Sequence, residues 1–172
     1  MTNLMEMIIT DLRNEHIKKD FKCGNELLDK YLSQQAKQDV SRGLSACFIL
    51  SDSTHVVKGY YTLSSCSDKL EGFPEELAKK LPKSYDNIPT TLLGRLACDI
   101  SIKGQRYGEI LLIDALKRSL EATTSIGSLA VVVDPIDEDA RSFYKKYEFI
   151  ELVNGTRMFL PMKTIKRLFA GE

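Results

Sequence analysis

The apolar positions of this chain change their spacing several times, and each change marks an element. Leu28, Tyr31, Leu32 and Ala36 recur at i, i+3, i+4 and i+8 with charges between them, which predicts one face of a helix. Asn25 stands where its side chain can cap that helix, and Arg42-Gly43 closes it. Ala46 to Leu50 and Val56 to Ser65 are β-branched and aromatic runs around the turn Asp52-Ser53-Thr54-His55, and they predict a hairpin. Met7-Ile8-Ile9 reads as an earlier strand, and Thr91 to Asp99, after Pro89, as a later one. The helical period returns with Leu111, Leu112, Ala115, Leu116 and Leu120 and runs to about Thr123. Ser128 to Asp134 is almost continuously apolar, the pattern of a strand buried on both faces. Ala140, Phe143, Tyr144 and Tyr147 predict another helix, begun by Asp134 or Asp137. Phe149-Ile150 and Arg157 to Leu160 flank Asn154-Gly155 as a hairpin, and Met162 to Phe169 follow Pro161 as a short helix.

The order is strand, helix, three strands, helix, strand, helix, two strands. Antiparallel hairpins with one central strand–helix–strand unit predict a mixed α/β sheet with helices on both faces. At 172 residues the chain reads as one domain, residues 1–172, with enough length for a sizeable core. Glu71 to Asp86 carries Pro74, Pro82, several lysines and a helical piece at Glu75 to Leu81; it is the loop expected to meet a substrate.

Composition changes this picture little. With 24 basic and 24 acidic side chains, global charge drives the protein toward neither nucleic acid nor membrane, although a balanced total can hide a basic face. No apolar run approaches the roughly 20 residues of a membrane helix, and the N-terminus lacks the basic and apolar regions of a signal peptide. A cytoplasmic location is therefore expected. Cys23, Cys47, Cys66 and Cys98 are scattered without a CxxC pair, so they read as free thiols, and with only His16 and His55 beside them no metal site is expected.

The chemistry concentrates at Ile102-Lys103-Gly104-Gln105-Arg106-Tyr107-Gly108-Glu109. A strand, a glycine-bearing loop and a helix N-terminus leave unpaired N–H groups at the positive end of a helix dipole, which suits a pyrophosphate.

Six ordered pieces then resemble the GNAT family of acetyl-CoA-dependent N-acetyltransferases, and especially its toxin-type subgroup. They are Phe21-x-Cys23-Gly24-Asn25-x-x-Leu28-Asp29-x-Tyr31-Leu32 with Ala36-x-Gln38-Asp39, Gly59-Tyr60-Tyr61-Thr62-Leu63-Ser64, Leu93-Gly94-Arg95-Leu96-Ala97-x-Asp99, Lys103-x-x-Arg106-x-Gly108, Asp137-x-x-Ala140-x-x-Phe143-Tyr144, and Leu160-Pro161-Met162-Lys163-Thr164-Ile165. The resemblance implies a twisted, mostly antiparallel sheet of six to seven strands with a splayed parallel pair. It implies that Leu96, Ala97 and Cys98 pair their backbone with the acyl-CoA arm and that a strand N–H there serves the oxyanion. Lys103, Gly104, Gln105, Arg106, Tyr107, Gly108 and Glu109 would hold the pyrophosphate. Asp137, Ala140 and Phe143 would complete the cofactor site, with Tyr144 as the acid that protonates the leaving thiolate. A homodimer and a small antitoxin partner are implied as well.

Two departures stand out. Arg106 occupies a motif glycine, so its side chain must turn from the phosphates or the loop must shift, and Glu148 stands where Tyr-x-x-x-Gly-Phe has glycine. Glu109, Asp99 and Asp134 lie near the expected cleft, each as a base or merely a cap. The acceptor amine stays open. The subgroup acetylates aminoacyl-tRNA, for which Arg95, Lys79, Lys80 and Lys83 are candidate contacts. A protein, peptide or small-molecule amine, or a non-catalytic acyl-CoA-binding or partner-binding module, are the alternatives.

Overall fold

Asn25 begins the first helix as its position suggests: its side-chain oxygen accepts the Leu28 N–H, and α1 runs Glu26–Gln34. The single predicted helix is broken, however. Gln35 leaves helical geometry (φ −126°, ψ −34°), and α2 (Ala36–Ser41) restarts after it. Gly43 then turns the chain at φ +73°. The computed structural model describes residues 6–171.

Seven strands form one sheet: β1 (Ile8–Asp11), β2 (Ala46–Ser51), β3 (Val57–Lys69), β4 (Asn87–Cys98), β5 (Ala130–Val133), β6 (Ile150–Glu151) and β7 (Met158–Pro161). Their order is β1-β2-β3-β4-β5-β7-β6. The β1/β2, β2/β3, β5/β7 and β6/β7 pairs are antiparallel, and β4/β5 is parallel. The remaining helices are α3 (Glu75–Ala78), α4 (Tyr107–Ala122), α5 (Glu138–Lys146) and α6 (Met162–Leu168). The largest differences from the expected boundaries are in β3 and β4, and the helical piece expected at Glu75 to Leu81 ends at Ala78. β3 continues to Lys69, and β4 begins at Asn87, so Pro89 lies inside the strand rather than before it. The proline cannot donate, but its carbonyl accepts the Leu129 N–H at 2.8 Å.

Contacts divide the chain into two compact units. The first comprises the chain up to Ser64 together with Gly94–Ala115. Its core joins Leu32, Ala36, Ile49, Tyr60 and Ala97. Successive residues of β3 reach opposite faces of the strand. The Tyr60 hydroxyl donates to the Leu28 carbonyl of α1 at 2.7 Å, and Tyr61 donates to Asp114 of α4 at 2.5 Å. Gly59 lets α4 approach: a Cβ there would lie 2.9 Å from Leu111 Cδ1 and 3.2 Å from the Ala97 carbonyl oxygen.

The second unit comprises Ser65–Leu93 and the chain from Leu116 onward. All four residues of β5 are buried, as a strand covered on both faces requires. Its core joins Phe73, Ile88, Ala130, Val132, Leu152 and Phe159. Arg157 crosses this unit as a polar tie. It is paired with Asp134 at 2.8 Å and Asp68 at 3.0 Å, and Asp68 also accepts from Thr90 at 2.8 Å. No helix of the described residues is long and apolar enough to cross a membrane.

Candidate active site

The β4/β5 ladder holds only two pairs, Thr91 with Val131 and Leu92 with Val132. Leu96, Ala97 and Cys98 lie past the end of that register, at the C-terminal end of β4. Asp99 then ends the strand. Its N–H donates to the Lys58 carbonyl, and its carboxylate accepts the N–H groups of Ser101 at 2.9 Å and Lys22 at 3.0 Å. Burial works to raise the Asp99 pKa, but those amide bonds outweigh it and hold the carboxyl below its ordinary value. Asp99 is thus a structural cap.

A 3-10 turn, Ile100–Ile102, leads into the loop. Gly104 has φ +81° and Arg106 φ +65°, while Gln105 between them is not left-handed. Alternating handedness curls main-chain N–H groups inward into an anion-binding concavity. The Arg106 carbonyl takes its helical bond from Ile110 at 3.2 Å, so the N–H groups of Tyr107, Gly108 and Glu109 in the first turn have no acceptor ahead of them. A Cβ at Gly104 would meet nothing within 4 Å, so the loop stands open. Sixteen residues of α4 set the positive end of their dipole at this loop. Its geometry suits a pyrophosphate held by main chain.

Arg106 adopts the left-handed backbone that glycine takes at least cost and is exposed. The Lys103 ammonium donates to the Cys23 carbonyl, tying the turn before α1 to this loop. Cys98 has its thiol pushed up to about 11 by burial, so it is a poor nucleophile at neutral pH.

In the second unit, the motif Asp137-x-x-Ala140 has a simple basis. Asp137 is the N-cap of α5, and its carboxylate accepts the Ala140 N–H at 2.8 Å. Asp134, the other predicted cap, binds Arg157 instead. Helix α5 ends in a Schellman motif: the Phe149 N–H donates to the Tyr144 carbonyl, and the Glu148 N–H to the Lys145 carbonyl. Glu148 supplies the left-handed residue this closure needs, at φ +71°. The accompanying apolar contact is Phe149 on Tyr144, ring centroids 5.2 Å apart.

Tyr144 is thereby fixed at its backbone and its ring, which also meets Phe143 at 5.3 Å. The ring is buried, yet its hydroxyl has no hydrogen bond among the described residues. Burial raises its pKa, which keeps it protonated. Packing and an available acid are both present in the one side chain.

Lys79, Lys80 and Lys83 are exposed, with Lys83 lining a cavity of about 410 Å³ beside Lys69, Tyr85 and Asp86. Arg95, on β4, lies over the Tyr31 ring, 3.5 Å from its centroid. The ties of Lys103 to Cys23, of Asp99 to Lys22 and of Arg95 to Tyr31 escape sequence reasoning. Each joins residues more than 60 positions apart, and only the Asp99-x-Ser101 spacing, an Asx-turn pattern, signals one end.

A mixed seven-stranded sheet with one parallel pair and a phosphate-type loop after β4 is the architecture of GNAT acetyltransferases. No family model matches the chain. It is 34% identical over 149 residues to a tRNA-acetylating toxin of Mycobacterium tuberculosis (strain ATCC 25618 / H37Rv), spanning 86% of this chain and 87% of that protein. It superposes on AtaT complexed with acetyl-methionyl-tRNAfMet at a TM-score of 0.89 and 32% identity, covering 95% and 99% of the two chains. A tyrosine-to-phenylalanine variant of AtaT bound to acetyl-CoA and the C-terminus of its antitoxin AtaR gives a TM-score of 0.80 at 28% identity, covering 96% and 99%. The chain belongs to the family of tRNA-acetylating GNAT toxins.

Proposed function

We propose that this protein transfers the acetyl group of acetyl-CoA to the amino group of aminoacyl-tRNA, blocking translation as the toxin of a toxin–antitoxin pair. The observation that carries the reading is the run of free N–H groups from Arg106 to Glu109 at the start of α4, in a chain of this family. The residues fit the ligand through main-chain donors with alternating handedness, and no acidic side chain stands between Lys103 and Gly108.

Acetyl-CoA supplies a thioester carbonyl and a thiolate leaving group. The N–H groups of Arg106, Tyr107 and Gly108, for which no acceptor is seen among the described residues, hold its pyrophosphate, and the main chain of Leu96 to Cys98 lines its arm as an added strand would. A strand N–H there donates to the oxygen that gains charge. The amine nitrogen forms its bond to the carbonyl carbon as the carbon–sulfur bond breaks. The Tyr144 hydroxyl gives its proton to the departing sulfur and regains one from solvent, and the amine's surplus proton leaves to solvent. Orientation in a closed complex supplies much of the rate. Asp137, Ala140 and Phe143 contribute by building the helix that presents Tyr144.

Residues 1–172 act as one acetyltransferase domain in this reading, since β3 and β4 each run through both units. The enzyme works in the cytoplasm, where charged tRNA is found, as a homodimer held in check by a small antitoxin. Lys79, Lys80, Lys83 and Arg95 are the candidate cations for contact with the tRNA. The test is incubation with acetyl-CoA and a panel of charged tRNAs, followed by mass spectrometry of the released amino acids. The expected product is an N-acetylated aminoacyl end on at least one tRNA. No transfer to any of them, with transfer to a peptide or small amine, would contradict the reading.

A further inference from the structure

Arg95 is an unusual arginine. Its guanidinium sits 3.5 Å above the centroid of Tyr31 and makes no hydrogen bond or ion pair with any described residue. The platform beneath it is rigid. Tyr31 is buried, its hydroxyl donates to Asp39 at 2.8 Å, and its ring stacks on Tyr60 with centroids 6.3 Å apart and planes 16° from parallel. Tyr60 in turn donates to the Leu28 carbonyl and meets Phe21 edge-on. One face of the guanidinium is thus occupied by an aromatic ring, and its five N–H donors remain unspent.

Those donors border a cavity of about 290 Å³ lined by Leu27, Leu28, Lys30, Gln34, Gln35 and Tyr31. Lys30 is paired with Glu26 at 3.1 Å, so Arg95 is the lining cation without a carboxylate of its own. Leu27, 78% exposed, offers an apolar surface beside it. The position is one residue before Leu96, where the acyl arm is assigned.

We infer that this cavity is a phosphodiester seat for the RNA strand that carries the amine, with the Arg95 fork on the phosphate oxygens and Leu27 against sugar or base. The inference rests on the aminoacyl-tRNA reading. A fixed planar fork with free edges matches two oxygens of one phosphate, and its stacked pose means little side-chain freedom is lost on binding.

The test measures charged and uncharged tRNA with the full-length wild type, Arg95→Gln and Arg95→Lys. Three quantities are read: KM for charged tRNA, affinity for acetyl-CoA, and the slope of log binding constant against log salt for uncharged tRNA. Loss of one charge-assisted phosphate contact should raise KM for charged tRNA about tenfold in Arg95→Gln. The salt slope should fall in magnitude by about one, a readout that packing damage alone does not move. Acetyl-CoA affinity should hold. Arg95→Lys keeps a charge but not the fork, so it should retain the slope and still raise KM. If Arg95→Gln is too unstable to assay, an unchanged KM in Arg95→Lys overturns the inference. Equal salt slopes for wild type and Arg95→Gln overturn it while leaving the aminoacyl-tRNA reading in place. No transfer by the wild type to any charged tRNA overturns both.

Discussion

Two residues that break the family pattern, Arg106 and Glu148, both adopt the left-handed backbone that glycine takes at least cost, at φ +65° and +71°. Such a conformation costs a non-glycine residue roughly 1–2 kcal/mol. Glu148→Gly should therefore stabilise the protein by up to about 1 kcal/mol, after the greater freedom glycine gives the unfolded chain. A rise in the thermal midpoint checks this, and a fall would show that the Glu148 side chain contributes more than its strain costs. Tyr144 makes a prediction of a different kind. Its phenol is held above the ordinary value of about 10 by burial, so the acid form persists through alkaline pH. The turnover profile should show no tyrosine-type decline until the pH exceeds about 10. What the sequence carried at this scale was residue type and motif position. The sign of φ at Arg106 was not legible, because only glycine announces a left-handed site and here arginine occupies it.

Helices and strands were largely legible because their periods are local. Leu28, Tyr31, Leu32 and Ala36 marked the helical face, and the all-apolar Ala130 to Val133 marked a strand buried on both sides. The break at Gln35 carries no glycine or proline to announce it, and the ladder position of Pro89 depends on a partner, Leu129, far along the chain. The same distinction separates the two ends of the site. The Asp137 cap and the Schellman closure at Glu148 are local and lie within recognisable motifs, whereas the seat of α4 depends on Gly59, some fifty residues before it. Gly59→Ala would put a methyl group 2.9 Å from Leu111 Cδ1 and 3.2 Å from the Ala97 carbonyl oxygen. Overpacking of this kind costs about 1–3 kcal/mol. Because it presses on both α4 and the end of β4, it should also weaken acetyl-CoA binding, read by calorimetry. Full stability with unchanged affinity would show that α4 has room to move.

For the molecule as a whole, His16 and Asp99, both buried, tie stability to pH in the same direction. His16 is buried and accepts the Arg13 N–H on Nδ1 at 3.0 Å, so the fold holds the neutral ring; desolvation is the chief cause of its lowered pKa. Asp99 is held ionised by its amide partners despite burial. Both folded-state values lie below the unfolded ones, so the unfolded chain binds more protons as pH falls. The His16 contribution is complete above about pH 6.5 and drains as pH drops through its folded value, and that of Asp99 follows below about pH 4. Stability from urea titrations should therefore decline in two stages on acidification, and His16→Asn should remove the upper one. Retention of the upper stage in that variant would assign it elsewhere. Net charge, zero in the sequence, was no guide to these effects, and it gave no sign of Arg95 stacked over Tyr31.

In the proposed reaction Tyr144 serves as the acid in acetyl transfer to a charged tRNA from acetyl-CoA seated on the loop before α4. The most direct measurement is single-turnover acetylation of charged tRNA by wild type and Tyr144→Phe, with acetyl-CoA affinity measured in parallel. Loss of a general acid predicts a rate about 10²- to 10⁴-fold lower in the variant, with cofactor affinity retained. A wild-type rate in Tyr144→Phe, or a loss of rate matched by an equal loss of acetyl-CoA binding, would contradict it.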